Sequence, residues 1–328
     1  MLKEGSVATI SGGTGPWLTV VGSTMIDQIS YVTRMPGRGE TVVGDRFVQG
    51  FGGKGANQAV MARLMGAQVA MVNALGDDGY GEQTLANFAG FGIDTTHVRR
   101  VPGASGVAPI WVEPDGSNRI IIVAGANAGL LPEHGAAAVT AQEHVDAVIG
   151  QFEIDQAVTT AAFGAARERG AVTILNPAPA AAVSADLAAV TDWIIPNETE
   201  FAIIARAAGL PDDVEDPDAL AQFAAELGAR LLVTLGERGA ALVGKDGDVH
   251  LVPTPRVVAA DTTGAGDAFV GAFAFGLGSG WDEADAVRLG CAVAADSVLR
   301  PGTQSSFPDS ERCRAIVAEI SGSARDAR

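Results

Sequence analysis

A carboxylate set among glycines at the start of a helix can activate a hydroxyl beside a phosphate. The run Asp261-Thr262-Thr263-Gly264-Ala265-Gly266-Asp267-Ala268-Phe269 has that form. The apolar residues that continue it, Phe269, Val270, Ala272 and Phe273, have helical spacing, so the glycines sit where a loop enters a helix. The backbone amides of Gly264, Ala265 and Gly266 can converge there without Cβ obstruction, and the helix end adds partial positive charge. Such a cradle suits a phosphoryl group in transfer. Asp267, in the first turn beside it, can take the proton of an attacking hydroxyl. A short G-x-G-D string would equally describe a plain turn and a first-turn acid, but the nine-residue run is far more specific.

Other groups supply chemistry of the same kind. Gly52-Gly53-Lys54-Gly55-Ala56-Asn57-Gln58 brings three glycines to a second loop–helix junction, with Lys54, Asn57 and Gln58 suited to a polyol. It reads equally as a junction with exposed polar residues. Lys54 is followed by Gly55 rather than Ser or Thr, so this is no Walker A loop. Phe269 occupies the place of the third glycine of a dinucleotide fingerprint. Pro196-Asn197-Glu198-Thr199-Glu200 follows the apolar strand 193–195, where open α/β sheets bind ligands. Its oxygens suit hydrated Mg²⁺, and Asn197 with Glu200 also fits a helix cap. Thr234-Leu235-Gly236-Glu237-Arg238-Gly239 is a nucleotide-contacting turn or an ordinary hairpin turn. Asn176-Pro177-Ala178-Pro179-Ala180 forms a rigid loop at the same sheet edge. Gly302-Thr303-Gln304-Ser305-Ser306 could cage a monovalent cation with its carbonyls and hydroxyls, or be a surface turn. Asp27, after the first strand, reads as a holder of sugar hydroxyls or as an exposed turn acid.

The elements that must position these groups alternate. Strands are predicted at 17–21, 41–48, 68–75, 147–151, 172–175, 193–195, 230–235 and 240–243. Helices are predicted at 56–64, 80–90, 154–169, 198–207, 218–227, 265–277 and 282–298. That rhythm implies a mostly parallel sheet covered on both faces, a three-layer α/β/α domain. Pro114-Asp115-Gly116 joins two β-rich runs, 106–113 and 119–123, as a hairpin. Segments 28–50 and 105–124 then form one small inserted sheet, a lid beside a body made of 17–27, 51–104 and 125–320. Residues 1–16 and 321–328 are expected to be flexible ends.

The net charge is −17, so nucleic acid and anionic membranes are poor partners. Two cysteines, Cys291 and Cys313, are too few for a disulfide framework and suit a reducing cytoplasm. The four histidines show no ligand spacing. No apolar run reaches a membrane span or a signal peptide.

Taken in this order, the motifs resemble those of the ribokinase-like carbohydrate kinase family (phosphofructokinase-B type), its ribokinases most closely, over about 17–310. The resemblance rests on 52–58, Ala124-Gly125-Ala126-Asn127, 176–180, 196–200 and 261–267. It implies ATP-dependent phosphorylation of D-ribose, with Asp267 as the base and the amides of Gly264, Ala265 and Gly266 as the anion hole. Asp27, Gly53, Lys54, Gly55, Asn57 and Glu153 would lie on the sugar. Asn197, Thr234, Gly236, Gly239, Gly266 and Cys291 would meet the nucleotide, and Glu200 with Asn197 would hold Mg²⁺. Asp261, Thr263, Ser297, Arg300, Gly302 and Ser306 correspond to an activating K⁺ site. The lid would close over the sugar and join two copies in a homodimer. Met25 stands where that family often has a sugar-contacting Asn, and Cys291 where a His often packs on adenine. Met25 leaves room for another sugar, such as fructose or a keto-deoxy sugar acid, or for a nucleoside. A non-catalytic sugar-binding protein is the reading from another class; retention of Asp267 and the glycines speaks against it.

Overall fold

The computed structural model describes residues 15–244 and 246–326. Among them the strands are β1 (Trp17–Val21), β2 (Met25–Tyr31), β3 (Arg46–Gly52), β4 (Gln68–Gly76), β5 (Val98–Val101), β6 (Val107–Val112), β7 (Asn118–Ile120), β8 (Ala147–Gly150), β9 (Val172–Leu175), β10 (Trp193–Ile194), β11 (Arg230–Thr234), β12 (Ala240–Val243) and β13 (Val249–Val252). Nine of these form the main sheet, in the order β13-β12-β11-β10-β9-β8-β1-β4-β5. Neighbours run parallel except β12, which is antiparallel to both β11 and β13.

The strand sequences are apolar without a polar alternate because both faces are covered. Along β11, Leu231 and Val233 join one core while Leu232 joins the other. One layer of helices is α1 (Lys54–Met65), α2 (Gly79–Phe91), α8 (Ala265–Gly278), α9 (Glu283–Ser297) and α10 (Ser310–Asp326). The opposite layer is α3 (Pro132–Thr140), α4 (Gln156–Glu168), α5 (Ala185–Ala189), α6 (Glu198–Ala207) and α7 (Pro217–Leu227). This is the expected three-layer arrangement. No helix among the described residues is long and apolar enough to cross a membrane.

The second sheet has the order β3-β2-β6-β7. β2 pairs antiparallel with β3 and parallel with β6, and β6 returns to β7 through the Pro114-Asp115-Gly116 turn. Phe47, Ile120, Ile121, Ile122 and Val123 leave an exposed apolar surface on this sheet and its flank.

Several expectations need correction. The strand expected at 41–48 begins at Arg46, because Arg46–Gly52 is the stretch that pairs with Met25–Tyr31. Gly52, expected at a loop–helix junction, therefore ends a strand. Asp27 is no turn residue but lies inside β2, which the sequence reading did not separate from the turn after β1. Helices α3, α5 and α10 and strands β5 and β13 were not anticipated. Residues 321–326, expected to be a flexible end, continue α10, whose Cys313 and Ile316 are buried and whose Val317 and Ile320 pack on the core. At the other end Pro16 accepts the Gln68 amide at 2.8 Å, which ties it to β4. Residues 1–14 and 327–328, also expected to be flexible, lie outside the described residues.

Candidate active site

The C-terminal ends of β1, β8, β9, β10 and β11 all stop at one edge of the main sheet, and the candidate groups follow them: Ser23, Glu153, Asn176, Asn197 and Gly236. The switch point of the sheet lies at β1, whose neighbours β8 and β4 lead the chain in opposite directions. Above this edge the N-termini of α1 and α8 converge. They pack so closely that a Cβ on Gly271 would sit 2.8 Å from the Gln58 carbonyl. The first turn of each helix therefore faces the other.

Asp267 is buried in the first turn of α8. Asn57 Nδ2 donates to its Oδ2 at 2.9 Å, and Gln58 Nε2 donates to its Oδ1 at 2.9 Å. Gly264 caps the helix with φ +77°, a conformation open to glycine at little cost. Among the described residues the amides of Gly266 and Asp267 have no hydrogen-bond partner, whereas the Ala265 amide is engaged by the Thr262 carbonyl at 3.3 Å. A Cβ on Gly266 would meet open space, so the cradle faces a cavity.

Around Asp267 lie more charged groups. Asp27 is buried on β2, and a Cβ on Gly52 would fall 2.4 Å from its carboxylate. Burial, with the charges of Glu153 and Asp267, pushes the Asp27 carboxyl up to about 7. Glu153 Oε2 accepts from Ser23 Oγ and from the Lys54 amide at 2.9 Å. Burial alone would lower the Lys54 ammonium, but Asp267, Glu153 and Glu200 outweigh it and hold its pKa above the ordinary lysine value. Gly53 has φ +88°, and a Cβ there would meet the Met25 amide at 2.7 Å; one on Gly55 would meet the Ser23 amide at 2.6 Å. These glycines let α1 start directly against β1 and β2.

Asn57, Gln58 and Gln151 behave differently from expectation. Asn57, expected on the sugar, uses its other amide atom as well, because Oδ1 accepts from Gln304 Nε2 at 3.1 Å. Gln58, expected to face a polyol, is wholly buried between Asp267, Asn176 and Gln151. Gln151 was not anticipated at all. Its signal is an amide ending an apolar strand, since a buried amide must find partners.

Asn197 and Glu200 form a reciprocal cap on α6: Asn197 Oδ1 accepts the Glu200 amide at 2.8 Å, and Glu200 Oε2 accepts the Asn197 amide at 2.9 Å. Both readings of this motif were open, and the capping geometry is present. It leaves Glu200 Oε1 and Asn197 Nδ2 uncommitted. Glu200 has its carboxyl raised by burial, against the opposing pull of the Asn197 amide and Lys54. One such oxygen fits a hydrated divalent cation, which keeps most of its waters. No cluster of three His, Cys, Asp or Glu side chains among the described residues could hold a bare metal ion.

Asn197, Thr234, Gly236, Gly239, Gly266 and Cys291 all line one cavity of about 1130 Å³, with Phe269 and Val257 among its apolar walls. Burial pushes the Cys291 thiol up to about 12, so this wall stays neutral. Beyond the cavity the 260–263 segment lies along 297–306. Asp261 Oδ2 accepts the Gly302 amide at 2.9 Å, and Oδ1 accepts the Thr263 amide and hydroxyl. Burial works to raise this carboxyl, yet those bonds hold it below its ordinary value. Arg300 Nε donates to the Ser306 carbonyl at 3.0 Å, and Ser297 is buried at the end of α9. Carbonyls and hydroxyls dominate here, a donor set that fits a monovalent cation.

Comparison with known proteins agrees with this geometry. The model of the pfkB family carbohydrate kinases matches residues 17–310. A deoxyribokinase of Salmonella typhi is 40% identical over 299 residues, covering 90% of this chain and 96% of the relative. A ribokinase crystal structure from Thermotoga maritima superposes with TM-score 0.83 at 35% identity, covering 92% of this chain and 99% of that one. The ribokinase of Arabidopsis thaliana complexed with ribose and ATP superposes with TM-score 0.81 at 29% identity, covering 92% and 99%. On the match along 17–310, the chain belongs to the pfkB family of carbohydrate kinases.

Proposed function

We propose that this chain transfers the γ-phosphoryl group of ATP to the 5-hydroxyl of D-ribose, giving D-ribose 5-phosphate and ADP. One juxtaposition carries the reading: a carboxylate fixed by two amide donors shares a helix turn with two unbonded main-chain amides. Asp267 accepts the proton of the 5-hydroxyl as its oxygen attacks the γ-phosphorus. The bond to the β-phosphate oxygen breaks, and its electron pair leaves with ADP. The amides at the start of α8, with Lys54 nearby, stabilise charge on the transferring group, which is where most catalysis of this step arises. Bound Mg²⁺ would supply further neutralisation of the phosphates, held through water by Glu200 and Asn197. K⁺ would sit among Asp261, Thr263, Ser297, Arg300, Gly302 and Ser306, largely on carbonyls.

Asp27, Gly53, Lys54, Gly55, Asn57 and Glu153 hold the sugar hydroxyls in this reading, and the 1130 Å³ cavity takes the nucleotide. The small sheet closes as a lid to exclude water. Its exposed apolar residues pair two copies in a homodimer. Two buried free thiols suit a cytoplasmic enzyme.

A second reading is favoured by a specific residue. Met25 is buried at the start of β2, the strand that carries Asp27, with Sδ 3.7 Å from Asn127 Nδ2. A thioether donates no hydrogen bond, so it suits a sugar lacking one hydroxyl. The Salmonella relative is a deoxyribokinase, and 2-deoxy-D-ribose is the corresponding substrate.

The deciding experiment is an ADP-release assay over D-ribose, 2-deoxy-D-ribose, D-fructose, a keto-deoxy sugar acid and nucleosides. The highest kcat/KM is expected for D-ribose. A higher value for 2-deoxy-D-ribose would replace the first reading by the second, and sugar binding without ADP release would make the chain a non-catalytic sugar-binding protein.

A further inference from the structure

Two rows of amide side chains end on the two oxygens of Asp267. On one side Gln151 Nε2 donates to Gln58 Oε1 at 2.6 Å, and Gln58 Nε2 donates to Asp267 Oδ1 at 2.9 Å. On the other, Asn87 Nδ2 donates to Gln304 Oε1 at 2.9 Å, Gln304 Nε2 to Asn57 Oδ1 at 3.1 Å, and Asn57 Nδ2 to Asp267 Oδ2 at 2.9 Å. Gln58, Gln304 and Asn57 each receive at the oxygen and give at the nitrogen, so each passes its polarisation toward Asp267 in the same sense. The first row runs through the core. The second leaves α1, crosses a surface turn and returns to α2.

We propose that Gln304 is a positioning residue for the base, acting through Asn57, and that the 302–306 turn thereby belongs to the catalytic apparatus. The proposal rests on Asp267 being the base, as argued above. An Asn side chain has two orientations of nearly the same shape. Only one presents N–H groups to a carboxylate. The Gln304 donor on the far side of Asn57 makes the reversed orientation doubly unfavourable, since nitrogen would face nitrogen there and oxygen would face oxygen at Asp267. Gln304 is itself oriented by Asn87, whose amide nitrogen can only donate. The turn that carries it is tied down by the Gly302 amide on Asp261, by Thr303 Oγ1 on the Phe51 carbonyl and by the Arg300 guanidinium on the Ser306 carbonyl. Phe51 belongs to β3, so displacement of the small sheet would pull on this turn and reach the base through one amide.

The test compares Gln304→Ala and the isosteric Gln304→Glu with the wild-type enzyme, alone and combined with Asn57→Ala. Loss of one polarising hydrogen bond is expected to lower kcat about tenfold. The KM for sugar should change less than about twofold, because the proposed action of Gln304 is on the base through Asn57. Gln304→Ala should slow Asn57→Ala no further, as both act through one group. Hydrogen exchange of the Asn57 side-chain amide, followed by NMR without substrate, should be faster in the Gln304 variants. A kcat within twofold of wild type in both variants overturns the proposal. So do rate losses that multiply in the double variant, or unchanged Asn57 exchange. A wild-type enzyme that turns over no sugar would instead strike the kinase reading, and the amide exchange would still decide whether Gln304 orients Asn57.

Discussion

Asp27→Asn should make the protein more stable while making it a poorer enzyme, and the gain should depend on pH. Burial, then the charges of Glu153 and Asp267, raise the Asp27 carboxyl from 3.8 to about 7. That gap of about three units, at about 1.4 kcal/mol each, means that ionising Asp27 in the folded state costs about 4 kcal/mol. Below the unfolded value both states carry the proton, and the cost is absent. Between about pH 4 and 7 the unfolded chain loses its proton and the folded one keeps it, so rising pH destabilises the fold. Above about 7 the cost is complete and stays constant. Asparagine cannot ionise, so the variant should exceed wild type by up to about 4 kcal/mol at pH 8 and by little at pH 4. Equilibrium urea unfolding of both proteins at pH 4.5, 6 and 8 measures the difference. The same variant should raise the KM for sugar about tenfold or more, since it loses a charged acceptor. A stability gap that does not change with pH, or a variant less stable than wild type at pH 8, would refute the reasoning.

Asp267→Asn should keep the fold and sugar binding yet lose about 10²–10⁴ in kcat, read by ADP release and by sugar-binding calorimetry. Gly266→Val should leave the melting temperature nearly unchanged, because its Cβ would meet open space, while raising the KM for ATP at least about tenfold by filling the phosphate cradle. Gly53→Ala forces a positive φ on a residue whose Cβ would lie 2.7 Å from the Met25 amide, so a loss of about 1–3 kcal/mol is expected in thermal or urea unfolding. If the small sheet pairs two copies as proposed, wild type should sediment as a dimer and Phe47→Asp, which places a charge on its exposed apolar surface, as a monomer, with stability of the monomer unchanged within about 0.5 kcal/mol.

Much of the body was legible because its signals are local. The apolar stretch 231–233 is buried on both faces, and the nine-residue run from Asp261 to Phe269 marks its own loop-to-helix junction. The small sheet was legible only in part. Met25–Tyr31 carries Asp27, Gln28 and Ser30 among apolar residues, and nothing local shows that its partners are Arg46–Gly52 and, from far along the chain, Val107–Val112. For the same reason the sequence left Asp27 open between a holder of sugar hydroxyls and an exposed turn acid, and pairing in β2 buries it. The hydrogen bonds of Asn57 and Gln58 to Asp267 were not legible, because that carboxylate is over two hundred residues away in sequence. Polar side chains beside glycines look free until the fold brings a carboxylate to them. Asn197 and Glu200 were legible as a cap because that geometry spans a single turn.

Met25 and Asp27 lie on β2 of the small sheet, whereas Asp267 stands on α8 and the nucleotide cavity on the main sheet's far strands. On the proposed reading, Met25 faces the acceptor from β2 while the base stands on α8. A substitution at position 25 is then expected to move preference among sugars more than it moves turnover, so that selectivity could drift in a lineage that keeps its engine.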